Sequence, residues 1–182
     1  MGFNKLFWGF LFMFDFRFNG FDILPDFVGY IFIFIGLKTL MNKNQNFSTA
    51  KNLALPLIFL SILDIFQPQN NAGGVNITYG PPLMLVIGIA VTVINLIMVY
   101  KICNGISELA QQQEKIELSK KAMTRWMLYL INNLIILLGF VVPGLVAILF
   151  IVIIIYSFVM YILMLLLMRE SERELGYLDY EE

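Results

Sequence analysis

The sequence predicts an all-α fold, a polytopic transmembrane bundle of six helices. Three observations carry that prediction. Hydrophobic residues make up 59% of the 182 and charged residues only 14%, against roughly 45–50% and about 25% in a soluble domain. A chain this short has too little interior to bury the excess. The apolar residues gather in six runs, and all of the twelve Lys and Arg but Arg17 fall in alternate gaps around them. That alternation is how a multi-pass protein records its orientation.

The runs lie at about 4–18, 23–41, 50–67, 82–103, 123–142 and 144–168, within a single domain over 1–169. A helix needs about 20 residues to cross a ~30 Å hydrocarbon layer; the second, fourth, fifth and sixth runs meet that need. The first and third are short, with acids near one end. In the first run Phe10, Phe12, Phe14, Phe16 and Phe18 alternate as in a strand. Phe3, Phe7, Phe10, Phe14, Phe18 and Phe21 also step by threes and fours, as on a helix. A lone strand in lipid would leave its backbone N–H and C=O groups unpaired, so the helix is preferred. Lys5 followed by Leu6–Phe14 imitates a signal peptide, but Asp15-Phe16-Arg17 offers no small-residue cleavage site, and the run is read as retained. Five crossings plus one interfacial helix is the alternative.

Counting the gaps gives the orientation. Lys5, then Lys38, Lys43 and Lys51, then Lys101, Lys115, Lys120, Lys121 and Arg125, then Arg169 and Arg173 fall on one side, and Arg17 alone on the other. Positive-inside places both termini in the cytoplasm of a cell membrane. Trp8, Tyr100 and Trp126 then sit near the inner interface and Tyr79 near the outer one.

Outside the runs, 67–82 is rich in Asn, Gly and Pro and reads as an irregular outer loop. Its Asn76-Ile77-Thr78 matches a glycosylation sequon that nothing else in the sequence supports. The stretch 106–121 has no Gly or Pro, and Glu117 stands four residues before Lys121, a helix-supporting pair. It predicts a cytoplasmic amphipathic helix with Ile106, Leu109, Ile116 and Met123 on one face, laid on the membrane surface or offered to a soluble partner. Residues 170–182 form an acidic cytoplasmic tail.

Composition also narrows the chemistry. There is no His, which removes the usual general base and the commonest metal ligand. The single Cys103 leaves no internal disulfide, and a net charge of −1 gives no footprint for nucleic acid. No cofactor and no enzymatic activity are expected.

The segment Phe21-Asp22-Ile23-Leu24-Pro25-Asp26-Phe27-Val28-Gly29-Tyr30, with the apolar run to Gly36-Leu37, resembles small multi-pass membrane proteins of Gram-positive bacteria, a group of uncharacterised function. The resemblance covers mainly residues 15–40 and implies a class but no activity. The same residues have a plainer account: Asp22 as a helix N-cap, Pro25 in the first turn, Asp26 against the positive end of the helix dipole. Gly29 and Gly36, seven apart, share a face on which another helix can approach closely.

Two clusters are candidate sites. Asp15, Arg17, Asp22, Asp26 and Asp64 gather at the outer mouth, either to bind a hard cation or with Arg17 neutralising neighbouring carboxylates. Thr92 and Asn95 on the fourth run, and Asn132 and Asn133 on the fifth, lie inside the hydrocarbon. Asn95 and Asn132 reach about equal depth, which predicts a hydrogen bond between their helices or the lining of a polar solute site. These features suggest a non-enzymatic membrane protein acting through cytoplasmic or membrane partners, of accessory, sensor or immunity type. The alternative is a small solute or cation transporter, or its substrate-binding subunit.

Overall fold

The computed structural model of the chain describes residues 2–13, 17–18, 21–22, 26–64, 82–141 and 143–176. Six helices carry the fold: α1 (Gly2–Phe12), α2 (Asp26–Leu40), α3 (Gln45–Asp64), α4 (Pro82–Gln112), α5 (Ile116–Val141) and α6 (Pro143–Leu175). Between α1 and α2 runs one antiparallel ladder, β1 (Arg17–Phe18) with β2 (Phe21–Asp22). Among the described residues the fold is all-α apart from that ladder.

Each helix packs on the next in sequence, and α1 packs on α6, so the six close into a ring. Neighbours run antiparallel. Phe47 of α3 packs against Gly105 of α4, Tyr156 of α6 donates to the Leu128 carbonyl of α5 at 3.0 Å, and Phe7 of α1 lies under Arg169 of α6. One end of the ring therefore collects the start of α1, α3 and α5 and the finish of α2, α4 and α6. Every Lys and Arg except Arg17 belongs to that half of the molecule, and we call it the basic end.

The core runs along the inner faces: Phe3, Leu6, Ile33, Leu37, Phe47, Leu57, Met98, Ile102, Ile106, Met164 and Leu167 are all fully buried. The outer faces are equally apolar, with Phe59 69%, Ile151 71% and Val152 62% exposed. Water disfavours such a surface and lipid accepts it. Among the described residues, two helices are long and apolar enough to cross a membrane, Val86–Gln112 and Ile151–Leu175.

The closest approach is between α1 and α2. A Cβ added at Gly29 would stand 2.8 Å from the Gly9 carbonyl oxygen, and one at Gly36 would stand 2.8 Å from that of Gly2. Gly2 and Gly9 repeat the sevenfold spacing of Gly29 and Gly36, so each pair of glycines meets the other across an antiparallel seam. Contact of this kind lets the two backbones gain dispersion and Cα–H···O interactions along their length.

Four expectations change. The first run is helical only to Phe12; Arg17 and Phe18 are in β1, so the strand and helix periodicities each hold over part of it. Asp22 pairs in β2 and is not the N-cap of α2, which begins at Asp26 with its acid in the first turn. The predicted helix over 106–121 is divided. Its first half finishes α4, residues 113–115 turn, and its second half opens α5. Ile106 and Leu109 are accordingly core residues, while Ile116 is 61% exposed. Finally, residues 170–175 of the expected 170–182 tail continue α6, with Ser171 and Leu175 fully buried, and residues 177–182 lie outside the described residues.

The turn between α4 and α5 has a definite chemistry. Lys115 N–H donates to the Ala110 carbonyl at 2.7 Å and Glu114 N–H to that of Gln111 at 3.0 Å. This is a Schellman stop, which requires a left-handed residue, and Glu114 supplies it at φ 59°. The other well-defined start is that of α3, where the Asn44 side-chain oxygen accepts from Asn46 N–H at 2.8 Å as an N-cap.

Candidate functional site

Of the acidic cluster expected at the mouth, the described backbone brings two members together: the ladder sets Arg17 directly opposite Asp22. Asp26 opens α2 four residues later. Asp15 and the side chains of Arg17, Asp22 and Asp64 lie outside the described residues, as do the 67–81 loop with its sequon and Tyr79. Among the described residues no three His, Cys, Asp or Glu converge as a metal would need.

The polar cluster inside the bundle is present but wired differently from the expectation. Asn95 does not meet Asn132. Its Nδ2 donates to the Tyr30 hydroxyl of α2 at 3.1 Å, whereas Asn132 Oδ1 accepts from Ser157 of α6 at 2.7 Å. The two Asn residues serve different neighbours because α4 turns its Asn95 face toward α2 and α5 turns Asn132 toward α6. Asn133 Nδ2 returns to the Tyr129 carbonyl of its own helix at 2.9 Å, and Thr92 to the Gly88 carbonyl at 2.9 Å. The Tyr129 hydroxyl lies beside the Asn133 and Asn95 amides. Tyr30, Asn95, Tyr129 and Asn133 thus form an interior polar seam from α2 through α4 to α5. One atom in it, Asn95 Oδ1, is a buried acceptor with no donor among the described residues. Such a group costs about 1–3 kcal/mol.

The basic end holds a second network that the sequence reading passed over. The Glu108 carboxylate of α4 accepts from Asn44 at 2.8 Å, Asn46 at 2.9 Å and Asn104 at 2.8 Å. Lys101 donates to Asn46 Oδ1 at 3.3 Å. One carboxylate therefore fastens the α2–α3 turn to α4. Its available signal was three amides in the basic gaps and one acid without a charged partner at helical spacing. Ser107 and Ser119 close the α4–α5 hairpin at 2.8 Å, and Lys115 donates to the Glu174 carbonyl.

On α5 and α6 the pairing is ionic. Glu170 of α6 lies 3.0 Å from Lys121 and 3.1 Å from Arg125, whose side chain is only 10% exposed. Partial burial pushes the Glu170 carboxyl up, but the Lys121 hydrogen bond and the two cations outweigh it and hold the group below the ordinary carboxylate range. Beside this pair opens a groove of about 250 Å³ lined by Lys120, Lys121, Thr124, Arg125, Leu128 and Leu163. Trp126 packs on Tyr100 just beyond, ring centroids 5.2 Å apart.

No family of proteins, no curated protein and no solved structure matches this chain.

Proposed function

We propose that this chain is an integral membrane protein whose six helices form a bundle in the bilayer, and that it works without chemistry of its own, through partners, as an accessory, sensor or immunity-type protein. The observation that carries the membrane part is the outer surface: long runs of exposed Ile, Leu, Val and Phe on α4, α5 and α6, with the positive charge at one end. By the positive-inside rule that end, with both termini, faces the cytoplasm. The resemblance of 21–30 to small multi-pass proteins of Gram-positive bacteria points the same way. The partner reading is supported by how the polar groups are spent: Glu108, Asn132, Ser157 and Tyr156 tie helices to one another.

Ile116 suits a partner contact, since it stands exposed at the tip of the α4–α5 hairpin. The test is single-cysteine labelling in intact cells. Cys103 is fully buried, so new cysteines at Lys43, Lys115 and Asn71 report alone in a Cys103→Ala background. A membrane-impermeant maleimide should label position 71 and reach 43 and 115 only after permeabilisation. Labelling of 43 or 115 in intact cells would overturn the orientation. Recovery of a partner that Ile116→Asp abolishes, without loss of thermal stability, would support the accessory role.

The unpaired Asn95 Oδ1 favours a second reading, a small solute or cation transporter or the binding subunit of one. Thermal stabilisation by a member of a solute and cation panel, absent in Asn95→Leu, supports it; a flat panel removes it.

A further inference from the structure

We propose that the groove between α5 and α6 at the basic end is a binding site for one anionic phospholipid, its phosphate held by Lys120, Lys121 and Arg125 and its acyl chains lying on Leu128 and Leu163. This rests on the membrane reading above. Three cations line or border the groove, and one carboxylate, Glu170, faces them. With Glu117 of α5 three residues before Lys120 and four before Lys121, the balance leaves about one positive charge for a phosphodiester. Lys121 and Arg125 are already oriented by Glu170, whereas Lys120 lies exposed on the rim. Thr124 adds a hydroxyl on the same wall.

Position selects a lipid rather than a free anion. The groove is amphipathic along its length, cationic at one end and lined by Leu128 and Leu163 at the other. Beyond those leucines the faces of α5 and α6 continue as exposed hydrocarbon: Ile131 and Leu134 on one helix, Phe158, Val159 and Ile162 on the other. A free phosphate would use only the head of this surface. A lipid whose headgroup meets the cations would have its chains on the rest. Trp126 and Tyr100, in contact with their rings tilted 55° to one another, are the aromatic pair expected where headgroups begin. Basic pockets between helices on the cytoplasmic side are the general form of such recognition.

The experiment uses the full chain purified in a neutral detergent, with thermal unfolding and native mass spectrometry as readouts. The probes are phosphatidylglycerol, phosphatidylcholine of the same chains, and glycerol phosphate without chains. Phosphatidylglycerol should stabilise saturably and remain bound as one equivalent, with phosphatidylcholine and glycerol phosphate weaker. Lys120→Ala should weaken phosphatidylglycerol binding about fivefold, the contribution of one basic residue near an anionic headgroup. Thr124→Trp, which fills the groove from an exposed position, should abolish the preference for the anionic lipid. Equal stabilisation by both lipids, or no effect of either variant, overturns the site. Binding of glycerol phosphate as tight as that of the lipid overturns the acyl part and leaves an anion site. Recovery of the chain in the soluble fraction without detergent overturns the membrane reading itself, and the lipid site with it.

Discussion

Glu170 shows how one side chain decides the local balance of charge. It takes a hydrogen bond from Lys121 and another from Arg125, and Arg125 is buried enough that losing its partner leaves a guanidinium with little water. Glu170→Gln should therefore cost about 1–2 kcal/mol at neutral pH, the lower part of the range for hydrogen bonds between charged groups because Glu170 itself is partly exposed. The pH dependence has a fixed sign. The cations hold the folded-state carboxyl below its ordinary value, so the stabilisation is complete above the unfolded carboxylate pKa of about 4.3 and is lost as pH falls through the folded one. Thermal unfolding in detergent at pH 7 and again near pH 3 measures this. The difference between wild type and Glu170→Gln should be largest at pH 7 and shrink in acid; a difference that grows in acid contradicts the assignment. Residues of this kind were only half legible. The sequence placed Lys121 and Arg125 at the cationic end, but nothing in spacing said that the acid of α6 would fold back 45 positions to meet Arg125.

Among the elements, the α4–α5 hairpin is the one that sequence reasoning missed, and the reason is physical. Helix stops are usually read from Gly, since a left-handed residue carries a steric cost for any side chain. Here Glu114 adopts φ 59°, so the stretch shows no Gly or Pro and looks continuous. The N-cap of α2 was misplaced for a related reason: Asp22 is committed to a ladder whose strands are separated in sequence by Asn19-Gly20, the dipeptide that two-residue hairpins favour, and the alternating phenylalanines were the other half of that signal. The glycine seam was legible on one side only, because Gly29 and Gly36 were paired with no partner until Gly2 and Gly9 met them. The Schellman geometry gives a direct test. Glu114→Gly removes the Cβ clash at a position whose side chain is exposed, at the expense of a more flexible unfolded chain. The net should be a gain of about 0.5–1 kcal/mol, seen as a higher midpoint of thermal unfolding, whereas Glu114→Val should lower it, since a β-branched residue is worse still at positive φ.

For the whole molecule, the decisive quantity is what surrounds the ring. Two arrangements have the same inner packing: a bundle in water, for which the exposed Ile, Val and Phe of α6 are a liability, and a bundle in lipid, for which they are the solvent-matched face. The six runs and the one-sided charge were legible because they are properties of composition and of order along the chain. The ring closure by α1 and α6 was not, since it depends on contacts between the two ends of the sequence: Asn4 N–H donates to Glu172 at 3.0 Å and Tyr161 to the Leu11 carbonyl at 2.9 Å. The two arrangements are separated by a charge placed on the outer face at mid-height. Ile155 is 59% exposed near the middle of α6, far from the basic groove. In water, Ile155→Lys would be neutral or would improve solubility, because an exposed cation is fully hydrated there. In a bilayer the same change sets an ammonium in hydrocarbon at a cost of about 2.5–3.5 kcal/mol on an insertion scale, lessened where the side chain can snorkel. Expression of Ile155→Lys beside Ile155→Leu, followed by membrane fractionation, should show the leucine variant at wild-type levels and the lysine variant reduced several-fold in the membrane fraction. Equal levels of both would mean that α6 does not face lipid at Ile155, and the outer surface would then have to be covered by protein.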